Sequence, residues 1–390
     1  MRFSEVAGET GIFVDGDWIE KKDQDPNGAV RLIQLADVGA GVFRDKSDRY
    51  ITVKKAAELH CTFLQQGDIL IARLGEPLCK ACVFPLDGMY ITAVDIAILR
   101  IGCNTVNPKY LVYLLNSPWF KDQVKQYESG TTRKRISRKN LDHIEMFFPP
   151  LPEQERIVAR IEELFSQLDA GVETLKKTKA QLAVYRQAVL KEAFEKVSSR
   201  VTLGSISESR LGKMLDKEKN VGEPRLYLRN INVRWFNFDL NDVLEMRIEE
   251  NELDKYLLRK GDLVICEGGE PGRCAVWDRD DAICYQKALH RVRFTDGSNP
   301  EFYMYYLWYA AQTGQLKSLF TGTGIKHLTG QSLVKVSVPT AEIATQNSIV
   351  SEIESRLSVC DSIEQTVNAA LQQAEAMRQS ILKDAFEGRL

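Results

Sequence analysis

The chain carries one unit twice, and a duplication of this length limits its fold more than any other feature. A shift of 192 positions lays Gln154-Glu155-Arg156-Ile157-Val158 on Gln346-Asn347-Ser348-Ile349-Val350 and Arg186-Gln187 on Arg378-Gln379. The same shift lays Lys191-Glu192-Ala193-Phe194-Glu195 on Lys383-Asp384-Ala385-Phe386-Glu387. Of the 42 aligned positions from Gln154 to Glu195, 16 are identical. Upstream the match is looser: Asn107-Pro108 meets Asn299-Pro300, and Ser129-Gly130-Thr131 meets Thr321-Gly322-Thr323. A shift of 194 pairs Gly67-Asp68-Ile69-Leu70-Ile71 with Gly261-Asp262-Leu263-Val264-Ile265, and Glu76-Pro77 with Glu270-Pro271. The period is too long for a solenoid and implies a tandem duplication with a pseudo-twofold.

Each copy changes periodicity part-way. In its first part, short apolar runs are bounded by Gly, Asp and Pro: Val30–Leu35, Asp68–Leu74, Ala81–Phe84 and Ile96–Ile101, then Tyr227–Ile231, Leu263–Cys266, Cys274–Trp277 and Ala288–Phe294. Their length and β-branched content predict strands. Asn107-Pro108 and Asn299-Pro300 predict helix starts, with Asn as cap and Pro in the first turn. The second part is a heptad seam: Ile157, Ile161, Leu164, Leu168, Gly171, Leu175, Thr178, Leu182, Tyr185 and Val189 are spaced 4-3-4-3. The C-terminal counterpart runs Ile349, Ile353, Arg356, Cys360, Ile363, Val367, Ala370, Ala374, Met377 and Ile381, with Arg356 as its misfit. Some 40 helical residues make a rod of roughly 60 Å, which overhangs a domain of this size. Each seam therefore needs a partner, and the other copy supplies it. Chain order makes that pairing antiparallel and makes the rod a spacer. The expected fold is α+β: mixed α/β domains at 1–149 and 197–340, and long helices at 150–196 and 341–390 pairing as an antiparallel coiled coil.

Composition narrows the classes of function. The 390 residues carry a net charge of −2, with 44% hydrophobic and 27% charged side chains, which is ordinary for a globular chain. Any basic surface must then be local. No apolar run approaches a membrane span and the N-terminus lacks a signal-peptide pattern, so the expectation is a cytoplasmic protein with reduced thiols. Cys79-Lys80-Ala81-Cys82 has no second pair, and the second copy sets Arg273 and Val276 opposite these cysteines. Buried or incidental thiols explain it better than a metal or redox site.

Two mixed domains alternating with two repeated long helices resemble the specificity subunit of type I restriction-modification systems. Ile144 to Ile157 (IEMFFPPLPEQERI), the closing Leu190–Phe194 and Leu382–Phe386 motifs, and the Gly67-Asp68 and Gly261-Asp262 strands carry the resemblance, which covers essentially the whole chain. The second copy departs where Pro339-Thr340-Ala341-Glu342 replaces Pro149-Pro150-Leu151-Pro152. The resemblance implies a non-catalytic reader of double-stranded DNA. Each recognition domain would bind half of a bipartite site, and the rod would set the gap between halves. It also implies two methylation subunits and a restriction subunit as partners. S-adenosylmethionine, ATP and magnesium are expected on those partners and no cofactor on this chain.

Candidate DNA contacts concentrate before the first long helix. Thr131, Thr132, Arg133, Lys134, Arg135, Arg138 and Lys139 lie in Ser129–Lys139, which holds five basic side chains and no acidic one. Arginine can pair bidentately with guanine, while Lys, Ser and Thr suit phosphate oxygens. A solvated loop is the competing reading. The second copy offers Thr321, Thr323, Lys326 and His327, keeping the Gly/Thr framework and changing the tip. A second candidate follows the Gly-Asp strand: Arg73 and Lys80 in one copy, Arg273 in the other, beside glycines that serve a tight hairpin equally well. Arg225, Arg229 and Arg234 fit a structural role at least as well.

Two rival functions remain: an autonomous DNA adenine methyltransferase, and a coiled-coil scaffold that does not read DNA. Asn107-Pro108-Lys109-Tyr110 and Asn299-Pro300-Glu301-Phe302 resemble the N-P-P-aromatic motif of adenine methyltransferases only superficially, since both lack the second proline and helix capping explains them better. His60, His143, His290 and His327 have no spacing suited to a metal site or catalytic triad. No catalytic constellation is evident.

Overall fold

In the computed structural model, which describes residues 1–216, 218 and 220–390, the chain forms two units, Met1–Lys176 with Asn368–Leu390, and Lys177–Val367. The first copy runs α1 (Phe3–Ala7), β1 (Ile12–Asp15), β2 (Val30–Ile33), β3 (Arg49–Ile51), α2 (Val53–Glu58), β4 (Ile69–Ala72), β5 (Ala81–Val83), β6 (Tyr90–Thr92) and β7 (Ile96–Arg100). It continues through α3 (Pro108–Asn116), α4 (Pro118–Lys125) and α5 (Arg138–Asp142) into α6 (Leu151–Glu195). The second copy runs β8 (Arg200–Thr202), α7 (Leu203–Ile206), β9 (Ser207–Leu211), β10 (Glu223–Leu228), β11 (Leu244–Ile248), α8 (Leu253–Tyr256), β12 (Leu263–Cys266), β13 (Cys274–Val276), β14 (Cys284–Tyr285) and β15 (Leu289–Phe294). It closes with α9 (Pro300–Gln312), α10 (Gly330–Leu333), β16 (Ser337–Pro339) and α11 (Ile343–Phe386).

The copies repeat one topology. An antiparallel sheet of order β1-β7-β4-β5 recurs as β9-β15-β12-β13. A smaller sheet, β3-β2-β6, mixes an antiparallel and a parallel pairing and recurs as β11-β10-β14. The Gly-Asp motif sits at the start of the central strand in both. Asp68 and Asp262 are each 1% exposed; each accepts a backbone N–H three residues upstream, from Gln65 and Arg259. Each also receives a two-armed guanidinium, Arg100 at 2.8 Å and Arg293 at 2.6–2.7 Å. Such paired, charge-assisted bonds compensate for burying the carboxylate.

Asn107 caps α3 by accepting from Lys109 and Tyr110 N–H, and Asn299 caps α9 by accepting from Glu301 N–H. The short strands β1, β3 and β6, of three or four residues, escaped the sequence reading. The strand expected at Tyr227–Ile231 instead covers Glu223–Leu228. Asn232 accepts Arg229 N–H at 2.8 Å and turns the chain before Ile231.

Both long helices are continuous, and their pairing is seen separately in each unit. In the first, Arg156 donates to Leu390 O, and Arg378 pairs with Asp169 and lies over the Phe165 ring, 4.5 Å from its centroid. In the second, Arg186 pairs with Asp361 (2.6 Å) and Glu364 (2.8 Å), and Arg356 with Glu192 (2.9 Å). Early residues of α6 meet late residues of α11, and the reverse, so the pairing is antiparallel. Arg186–Asp361 and Arg378–Asp169 are the same contact displaced by 192 positions.

The seam differs from its expected phase. Ile161, Leu182, Val189, Ile353, Cys360, Val367 and Ala374 are buried as anticipated. At five positions of the alternate set the next residue is the more enclosed one: Val172 than Gly171, Arg186 than Tyr185, Leu357 than Arg356, Glu364 than Ile363 and Arg378 than Met377, while Ile157 and Thr178 keep their expected places. Arg356 is no misfit, because it hydrogen-bonds Tyr185 Oη and covers that ring. The closing Leu-Lys-x-Ala-Phe motifs anchor the helix ends. Phe194 is fully buried against Phe302, Tyr306 and Tyr309, and Phe386 lies edge-on to Tyr110.

Candidate nucleic-acid interface

The segment Ser129–Arg135 is a closed hairpin. Ser129 and Arg135 exchange backbone hydrogen bonds of 2.9 Å, and Thr321 and His327 do the same at 2.9 and 3.0 Å. Five residues form each tip, Gly130–Lys134 and Gly322–Lys326. Gly130 (φ 92°) and Gly322 (φ 94°) occupy the left-handed region. A Cβ there would lie 2.4 Å from Arg133 O or 2.3 Å from Ile325 O, so both the dihedral and the space demand glycine.

The structure brings the two candidate segments together. Gly75 N–H donates to Lys134 O (3.0 Å) and Ile136 N–H to Arg73 O (3.0 Å), which docks the loop after β4 against the hairpin. In the second copy Leu328 N–H donates to Glu267 O (2.7 Å) at the corresponding place. Each unit therefore presents one edge built from a glycine-containing loop and a hairpin tip.

The side chains divide into two groups. Thr131, Thr132, Arg133, Arg135 and Lys139 are exposed, and Arg133, Arg135 and Lys139 make no ion pair among the described residues. Lys134 pairs with Glu128 (2.9 Å), whose carboxylate raises the lysine's pKa. Thr321, Thr323 and Lys326 are exposed, with Lys326 Nζ donating to Gly322 O; half-buried His327 packs close to Gly268. Other candidates are engaged by the fold itself. Arg73, 13% exposed, donates to Val94 O (2.5 Å) and pairs with Asp15 (3.0 Å). Arg138 shares Asp15 (3.3 Å), donates to Phe13 O and lies over the Phe13 ring. Arg273, 16% exposed, pairs with Glu270 and donates to Asn230 O. Lys80 Nζ donates to Glu76 O at 3.3 Å. Arg229 likewise holds Asp242 at 2.6 Å.

Two supporting residues went unnoticed in the sequence. Asp15, on β1, joins Arg73 of the loop to Arg138 beside the hairpin. Lys121, on α4, donates to Leu78 O (2.7 Å) and Cys79 O (2.6 Å) and pins the turn after Glu76-Pro77. Burial pushes its pKa down to about 8. Neither carries a motif. Their partners lie about 40 to 120 residues away, which no local spacing reveals.

Among the described residues no cluster of three or more His, Cys, Asp or Glu side chains could hold a metal ion. Cys79 and Cys82 are buried, and burial pushes their thiols up to about 11 and about 12. No described helix is long and apolar enough to cross a membrane.

Paired sheets, antiparallel helices and a twice-built basic or polar hairpin edge define a duplicated recognition protein. The family model for the type I restriction modification DNA specificity domain matches residues 10–183 and again 197–373, and the chain belongs to that family. Membership assigns it DNA specificity rather than catalysis. The chain is 25% identical over 319 residues to the EcoKI specificity subunit of Escherichia coli K12, covering 74% of this chain and 68% of that subunit. About a third of that relative thus lies outside the match. The fold matches a chain from a structure of complex assembly and conformational transition in the type I R-M system, with TM-score 0.74 and 17% identity over 97% of this chain and 98% of that one. It also matches the HsdS subunit from Thermoanaerobacter tengcongensis, with TM-score 0.56 and 18% identity over 98% of each chain.

Proposed function

We propose that this chain is the specificity subunit of a type I restriction-modification complex and reads a bipartite site in double-stranded DNA, one half with each hairpin edge. One observation carries the reading: a single backbone frame is built twice, with identical glycines at its turn and different side chains at its tip. Constant geometry with variable tips is what a reader of two unlike half-sites needs, because phosphate contacts position and base contacts specify. Arg133 and Arg135 are the base readers of the first edge, with Thr131, Thr132, Lys134 and Lys139 on phosphates. Thr321, Thr323, Lys326 and His327 serve the second. Arg73, Lys80, Arg138 and Arg273 act as positioning residues that hold the loop and hairpin together.

The paired helices would recruit two methylation subunits, and a restriction subunit would complete the assembly in the cytoplasm. S-adenosylmethionine, ATP and magnesium would reside on those partners. The test is Arg133→Ala with Arg135→Ala in the assembled complex, followed by methylation profiling. Recognition should relax at one half-site only, each lost bidentate contact weakening binding by about 1–3 kcal/mol. Uniform weakening with a reduced salt slope would make both arginines phosphate contacts. Unchanged binding would return the hairpin to a solvated loop.

A further inference from the structure

Apart from the conservative Ser129/Thr321 pair, the two hairpins share a backbone but differ at three positions: Thr132 against Gly324, Arg133 against Ile325, and Arg135 against His327. The middle exchange is chemically the largest. Ile325 is 73% exposed and belongs to none of the hydrophobic clusters. Its neighbour Gly324 has open space where a Cβ would stand. Nothing among the described residues covers this side chain. Single exposed hydrophobics are common on protein surfaces and need no explanation by themselves. Ile325 is set apart by its place, since it holds the position of Arg133 on the same frame, between Thr323 and Lys326, which suit phosphate oxygens.

We infer that Ile325 is a specificity-determining residue, packing against the 5-methyl group of a thymine in the major groove of the second half-site. The inference rests on the DNA-reading function proposed above. An arginine tip suits the paired acceptors of guanine, whereas an aliphatic tip offers no hydrogen bond and can select only by apolar contact. The thymine methyl is the apolar feature that the major groove of unmodified DNA presents. Position 133/325 then separates the two half-sites: a polar reader in one, a methyl reader in the other.

The experiment uses the complex assembled with its methylation subunits and the site obtained by methylation profiling. The half-site relaxed by Arg133→Ala with Arg135→Ala is the first, and the other is the second. Thymines of the second half are replaced one at a time by uracil, which keeps base pairing and removes only the methyl group. One replacement should weaken binding about fourfold, as expected for losing burial of a single methyl-sized group. Ile325→Ala should bind the thymine and uracil duplexes equally while leaving first-half recognition intact. A second half-site without an A·T pair, one indifferent to every uracil replacement, or an Ile325→Ala complex with undiminished uracil response would overturn the assignment. A complex that protects no specific sequence at all would instead overturn the underlying functional reading.

Discussion

Replacing Gln154 with leucine would unlatch the start of the first long helix from its domain. Gln154 is fully buried: its Oε1 accepts Asn107 N–H at 2.8 Å, and its Nε2 donates to Thr105 O at 2.8 Å and Pro149 O at 2.7 Å. One side chain thus joins the cap of α3, the loop before it and the proline segment leading into α6. Leucine keeps most of the volume and none of the bonds. At about 0.5–1.5 kcal/mol net per hydrogen bond, the loss should be roughly 2–4 kcal/mol. Gln346 repeats the latch on Asn299 N–H (2.8 Å), Ala341 O (2.9 Å) and, more weakly, Ser298 Oγ (3.4 Å), so Gln346→Leu should lose somewhat less. Because the two sites lie in different units with separate cores, their effects should stay local. Hydrogen exchange against denaturant, read on peptides covering 107–116 and 151–161 and on 299–312 and 343–353, measures each unit. A loss below about 1 kcal/mol for Gln154→Leu, or equal losses in both units, would refute the latch.

Three further outcomes are expected. Desolvation pushes the Asp17 carboxyl up to about 6 despite the Thr62 N–H it accepts. A folded-state pKa above the unfolded value near 3.8 favours folding at acid pH, and that contribution is lost as pH rises from about 4 through about 6. Asp17→Asn should therefore flatten melting temperature over this window and raise it at neutral pH; an unchanged slope would exonerate Asp17. Arg378→Ala should cost roughly 1–2 kcal/mol through the Asp169 pair and the Phe165 ring, and a double-mutant cycle with Asp169→Ala should show coupling of about 0.2–1 kcal/mol; a coupling near zero would remove the ion pair from the account. Seven residues inserted in register after Lys179 and after Leu371 should lengthen each helix by roughly 10 Å. Methylation profiling should then show unchanged half-sites with a wider gap, or lost binding. Full activity confined to the original spacing would show that the helices do not set the distance.

Several parts of this protein were legible because they depend on neighbours in sequence. The Asn107 and Asn299 caps need only the next few N–H groups; Gly130 and Gly322 stood out as a repeated pair, but the hairpin they close depends on Ser129–Arg135 and Thr321–His327 pairing that the spacing did not reveal. The duplication itself exposed Gln154 with Gln346 and Phe194 with Phe386 as paired positions, without saying what they bind. The heptad spacing placed one half of the helix seam and missed the phase of several positions in the other half. The heptad reading favours Tyr185, Arg356, Ile363 and Met377, but Arg186, Glu364 and Arg378 turn inward because each meets an opposite charge on the other helix, and Leu357 follows the same turn of phase. The arginines divided for the same reason: Arg73 and Arg138 are drawn to Asp15, and Arg273 to Glu270 and Asn230 O, while Arg133 and Arg135 have no ion-pair partner among the described residues. A charge announces itself in the sequence, but whether it faces solvent depends on a partner that only the folded chain brings within reach, as with Arg138 and Asp15, 123 residues apart.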